Sequence, residues 1–202
     1  MQLRLFISVL PSVILLIASV INCYKIIKRE VSPALSTWLI ILAASLLSFI
    51  TYLKAQHNAF LSGLLNFGDV LSTALISLTI IFFSPIRIKL KSFEKYYLAG
   101  LILIVIFWLF TSNAFLANLL IQLILALGYV PTIHHLIKEK RNTESFVVWG
   151  LILLASLISL YPAITAYFEK DIILSLVYSL RAIVLLIFTI FLMFNYSKIS
   201  KS

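Results

Sequence analysis

Apolar residues in this chain neither alternate nor gather into one helical stripe. They fill seven long runs, at about 5–24, 34–53, 60–83, 96–112, 114–137, 145–168 and 172–196, separated by short polar or basic stretches. A run of about 20 apolar residues, rising about 1.5 Å per residue, covers the roughly 30 Å hydrocarbon core of a bilayer. The runs are continuously apolar, which predicts helices and not a barrel, because backbone groups in lipid must be paired within the segment. The first run is longer than a signal-peptide core and lacks a small-x-small site before a polar sequence, so it is expected to be the first span.

Composition agrees with the runs. With 62% hydrophobic residues, 11% charged residues and a mean hydropathy of +1.12 over 202 residues, there is more apolar surface than one soluble core could bury. The net charge of +9 would suit a nucleic-acid binder, but the cations sit in short clusters between apolar runs, as in the loops of a membrane protein. Nucleic acid is therefore not expected as a partner, whereas anionic lipid headgroups are expected at the basic loops. Cys23 is the only cysteine, which excludes an internal disulfide and a cysteine-rich metal site.

Lys25, Lys28, Arg29, Arg87, Lys89, Lys91, Lys95, Lys138, Lys140, Arg141, Lys198 and Lys201 fall on the side of the C-terminus. The other side holds only Arg4, Lys54 and Lys170. By the positive-inside rule the C-terminus is expected in the cytoplasm and the N-terminus outside.

The chain also repeats itself. WLIILAASLLS, residues 38–48, matches WGLILLASLIS, residues 149–159, at seven of eleven positions with a shift of 111. The same shift lays the basic turn KIIKREVSPALSTW, 25–38, on LIKEKRNTESFVVW, 136–149. The expected architecture is an all-α membrane protein with two parallel three-helix repeats, 1–83 and 113–202, joined by a basic loop and linker helix at 84–112. Three is an odd number of crossings, so the linker span is what keeps the repeats parallel, and such repeats enclose a site near the midplane.

The stretch LGYVPTIHHLIKEKRNTESFVVWGLILLASLISLYPAI resembles the PQ-loop repeat of the SWEET and semiSWEET transporters: a proline late in one helix, a short basic turn, a Ser or Thr, then a tryptophan opening the next helix. The resemblance extends over both repeats. The family's Pro-Gln pair corresponds to Pro131 and Thr132, and to Val20 and Ile21 in the first half. It implies a transporter working by alternating access, a small polar solute, and a bending or gating role for Pro131. It also implies that Asn66, on the third helix, and Ser48 and Ser159, on the second helices, line the pocket, with Tyr178 or Ser179 where a second asparagine would be. Neither half has a tryptophan late in its second helix; Trp38 and Trp149 are expected as interfacial anchors.

His134 and His135 project about 100° apart on a helix and lack a partner at i+4, so a metal site is not expected, nor a cofactor. Ionisable groups within spans are the stronger signal, since each is costly in lipid unless paired or hydrated. Asp69 and Arg181 are two such groups, and a shift of 112 places Asp69 on Arg181 and Asn66 on Tyr178. Three roles stay open for the pair: an ion pair locking the repeats, a site for a charged or zwitterionic solute, or a coupling-proton site at Asp69. Gly63 and Gly68 are expected to permit close packing of the third span. No DxD, HExxH, GxSxG or Cys-His pattern is present, so an enzyme is not expected. The alternative to a transporter is a membrane receptor or sorting protein of the same fold, such as the KDEL receptor. Oligomeric state is left open by the sequence.

Overall fold

The computed structural model describes residues 2–31, 35–56, 60–83, 92–139 and 145–199. Arg87, Lys89, Lys91, Lys140, Arg141 and Lys201 of the basic loops lie outside the described residues. The elements are α1 (Gln2–Ile27), α2 (Leu35–Ala55), one 3₁₀ turn (Leu61–Gly63), α3 (Leu64–Phe83), α4 (Ser92–Thr111), α5 (Ala114–Leu127), α6 (Val130–Glu139), α7 (Phe146–Lys170) and α8 (Leu174–Ile199). Among the described residues, seven stretches are long and apolar enough to cross a membrane: Leu5–Ile27, Thr37–Ala55, Leu61–Phe83, Glu94–Thr111, Ala114–Lys138, Phe146–Lys170 and Leu174–Tyr196. Each coincides with a run read from the sequence, and the chain is built as a multi-pass membrane protein.

The fifth stretch consists of two helices. Pro131 has no N–H, so the carbonyl four residues earlier, at Leu127, loses its helical donor, and the proline ring crowds that turn. The helix accordingly stops at Leu127 and restarts at Val130. Elsewhere the reversals are tight. Asn113 caps α5 by accepting from the Leu116 N–H at 3.0 Å. Asp171 ends α7 with a left-handed φ of 54°, and its N–H returns to Tyr167 O. Aspartate tolerates that conformation better than most residues, so α8 can start three residues later.

Packing follows a fixed set of neighbours. α3 lies against both α1 and α2; α8 lies against α7 and against both α5 and α6; α1 packs on α7, α2 packs on α5, and α4 packs on α5. The α1–α3 contact is close because Gly68 has no side chain: a Cβ there would fall 2.8 Å from the Ser12 Cα. The Ser12 hydroxyl donates to Leu64 O at 2.6 Å across the same contact. The interior is apolar around Leu15, Ala44, Leu65, Ile121 and Ala155. Outward faces are apolar too, with Phe82, Phe110 and Phe168 at least 75% exposed, as expected of surfaces that meet lipid tails.

Candidate functional site

Lys25, Lys28, Arg29, Lys95 and Lys138 lie at one end of the bundle, referred to below as the basic end. From that end a cavity of about 270 Å³ penetrates between α1, α3 and α7. Lys25, Glu30, Trp38, Ser145 and Trp149 border its mouth, and Ser19, Asn22, Ser72 and Thr73 its walls. Asp69 is its deepest acidic group. Asp69 and Arg181 stand eight and seven residues into 23-residue spans, on the far side of the midpoint from the basic end. Helix geometry sets this depth: α3 and α8 both run from the far end toward the basic end, and both ionisable residues fall on their second or third turn.

The two ionisable groups are joined through a third. The Tyr178 hydroxyl donates to Asp69 Oδ2 at 2.5 Å. On the ring of the same tyrosine rests Arg181, its guanidinium carbon 4.5 Å from the centroid, a cation–π contact. Tyr178 and Arg181 are three residues apart on α8, so they share one face and must stack this way. No direct ion pair joins Arg181 to Asp69, and Arg181 Nε and Nη1 are buried without hydrogen-bond partners. Tyr129, from the α5–α6 break, meets Trp149 edge to face, with centroids 5.9 Å apart.

Beyond Asp69 the bundle is closed by a buried polar layer. Asn66 Nδ2 and Gln122 Nε2 both donate to Ser48 Oγ at 3.0 Å. Asn118 Nδ2 donates to Ser48 O at 2.7 Å and to Thr51 Oγ1 at 2.9 Å, while Gln122 also donates to Asn118 Oδ1 at 3.1 Å. These bonds tie α2, α3 and α5 together with side chains that are less than 5% exposed. Ser159 and Ser179 share a hydroxyl contact of 2.8 Å between α7 and α8. A void of about 10 Å³ among the described residues is bordered by Tyr52, Ser62, Asn66, Ser175, Tyr178 and Ser179, too small for a solute.

The residues singled out in the sequence therefore divide. Asp69 borders the cavity; Asn66 and Tyr178 border the small void; Ser48 sits in the polar layer and Ser159 pairs with Ser179; Arg181 stacks on the Tyr178 ring. Pro131 stands in the first turn of α6, directly after the helix break. Trp38 and Trp149, expected as interfacial anchors, both border the cavity.

Three contributors were not read from the sequence. Asn118 and Gln122 are i, i+4 on α5 and so share a face, a spacing that could have flagged them. Glu94 is 4% exposed at the start of α4 and accepts from the Thr37 hydroxyl of α2. No family model, curated protein or solved structure matches this chain.

Proposed function

We propose that this chain is a membrane transporter that moves a small polar solute by alternating access. The observation that carries the reading is the cavity that runs from the basic end to Asp69 near mid-membrane and stops at a sealed polar layer. A site reachable from one side and closed on the other is the arrangement that alternating access requires. In this reading the basic end is cytoplasmic, by the positive-inside rule, and the described conformation is open inward.

The three-one-three architecture of the SWEET and PQ-loop transporters is part of the same proposal. Its support is the neighbour pattern: α3 lies between α1 and α2, α8 packs on both α7 and the α5–α6 pair, and the cross-contacts α1–α7 and α2–α5 are those a two-fold axis along the membrane normal would exchange. Residues 1–83 and 113–202 are then the repeats and α4 the connector. The break before Pro131 supplies one place where the fifth span can bend as the polar layer opens.

Asp69 is the residue that contacts solute, and Tyr178 positions its carboxylate. The polar layer of Ser48, Asn66, Asn118 and Gln122 is the barrier that must part for release on the other side. The test is a thermal-shift screen of the purified protein with sugars, amino acids, vitamins, nucleosides and amines, because ligand binding to the folded state raises the melting temperature. Saturable uptake of a stabilising solute into proteoliposomes, lost in Asp69→Asn, is the expected result. Saturable binding of a peptide or protein with no solute flux would instead establish the receptor alternative.

A further inference from the structure

The charge of the cavity wall is uneven. Lys25 and Glu30 both stand at the mouth, where their charges oppose each other. Deeper in, Asp69 is the only formally charged side chain among the described residues that border the space; Arg181 stacks on the Tyr178 ring and borders no part of it. One oxygen of that carboxylate, Oδ2, is committed to the Tyr178 hydroxyl. The other has no hydrogen-bond partner among the described residues and belongs to a residue on the cavity wall.

The same wall is aromatic. Trp38 from α2 and Trp149 from α7 both border the cavity, one in each half of the chain. Indole offers a large apolar face, and ring–ring contacts add to the area it buries. Neutral hydrogen-bonding groups, Ser19, Asn22, Ser72 and Thr73, complete the wall without adding positive charge.

We propose that this cavity selects a small organic cation: an ammonium group donating to the free oxygen of Asp69, and an apolar or aromatic body against Trp38 and Trp149. The proposal rests on the transport reading for the fate of the solute, while the binding chemistry stands on the wall itself. A volume of about 270 Å³ suits a molecule built on one ring. Arg181 bears on the choice between a plain amine and a zwitterion. A ligand carboxylate would have to reach a guanidinium that borders no part of the cavity, whereas an ammonium needs only the Asp69 carboxylate on its wall. Removing the Arg181 charge therefore strengthens cation binding, since a nearby like charge is lost.

Equilibrium binding of radiolabelled phenethylamine to the detergent-purified protein tests this, with 2-phenylethanol, 3-phenylpropionate and phenylalanine as neutral, anionic and zwitterionic competitors of similar size. Saturable binding displaced by unlabelled phenethylamine and not by the neutral or anionic competitor is expected. Asp69→Asn should weaken binding at least about ten-fold, as loss of a desolvated charge-assisted hydrogen bond does. Trp38→Leu should weaken it about three- to ten-fold with the fold intact, in keeping with the loss of an aromatic contact to the body of the ligand. Arg181→Met should tighten it or leave it unchanged.

The competitor series on the unmodified protein needs no variant to fold. Equal competition by 2-phenylethanol, absence of saturable phenethylamine binding, or stronger competition by phenylalanine that disappears in Arg181→Met would each overturn the proposal. Binding of phenethylamine without flux in proteoliposomes would remove the transport reading and leave the cation site standing. Flux of a neutral solute without phenethylamine binding would do the reverse.

Discussion

Arg181→Met distinguishes an ion-pair lock at the centre of the bundle from a tyrosine-bridged site. A buried carboxylate–guanidinium pair that loses one member leaves the other uncompensated and costs about 3 to 5 kcal/mol. The arrangement here is different: Arg181 makes no direct ion pair with Asp69, and Nε and Nη1 are buried without partners. Each orphaned donor costs about 1 to 3 kcal/mol in the folded state. The cation–π contact with Tyr178 returns about 0.5 to 2 kcal/mol. Through-space attraction to Asp69 adds to that return but lacks the hydrogen bonds of a contact pair. Methionine keeps the length and apolar body of the side chain while deleting the donors, so the melting temperature should stay where it is or rise.

Tyr178→Phe is the complementary change. It leaves the ring under the guanidinium and removes only the hydroxyl that donates to Asp69 Oδ2. Hydrogen bonds to charged acceptors contribute about 1.5 to 3 kcal/mol. Asp69 borders the cavity, where water can take over the lost donor, so the loss should lie near the lower end. For a chain of about 200 residues, 1 kcal/mol corresponds to about 2 to 4 °C, giving a fall of about 3 to 6 °C. Thermal unfolding in detergent of the wild type, the two single variants, Asp69→Asn and the Asp69→Asn/Arg181→Met double variant measures the coupling directly. A fall of about 6 °C or more in Arg181→Met that the double variant recovers would refute the bridged geometry and reinstate the lock.

Gly68→Ala should destabilise by about 1 to 3 kcal/mol, because its Cβ would stand 2.8 Å from the Ser12 Cα, a backbone atom that cannot turn aside. Gly150→Ala, with nothing within 4 Å of the added carbon, should be neutral or slightly stabilising, and equal melting temperatures for the two would contradict the close α1–α3 packing. Gln122→Leu removes one of the two donors to Ser48 Oγ together with the bond to Asn118, so it should loosen the polar layer; increased labelling of a cysteine at Ser62 by an impermeant reagent would register this, and unchanged labelling would count against the layer as a barrier. Orientation is tested by a cysteine at Ser112, which should react from outside intact cells, and one at Lys138, which should not; the opposite pattern would reverse the proposed topology.

The spans were legible because membrane crossing imposes a length and an apolarity that any window of sequence reveals. The break in the fifth span falls at the offset on which Pro131 acts, but Pro11 and Pro162 stand inside unbroken helices, so a proline alone does not place a break. The site was legible only in part, and Asp69 and Arg181 show why. Their depth follows from counting along two helices, but their relation depends on Tyr178, whose ring and hydroxyl can occupy the space between them only if α3 and α8 sit at one particular separation. Sequence position carries no such information.

The polar layer was missed for a related reason: serine, asparagine and glutamine in an apolar run look alike whether they face lipid, solute or one another. Asn118 and Gln122 acquire meaning only when α5 packs on α2 and brings them to Ser48. Trp38 and Trp149 show the same limit from another side. A tryptophan at a span end reads as an interfacial anchor by position alone, and that position does not reveal that it also borders a cavity. Depth in the membrane is written along one helix, whereas exposure to a cavity is a property of several, so the residues that face a solute are the last to become readable from the chain.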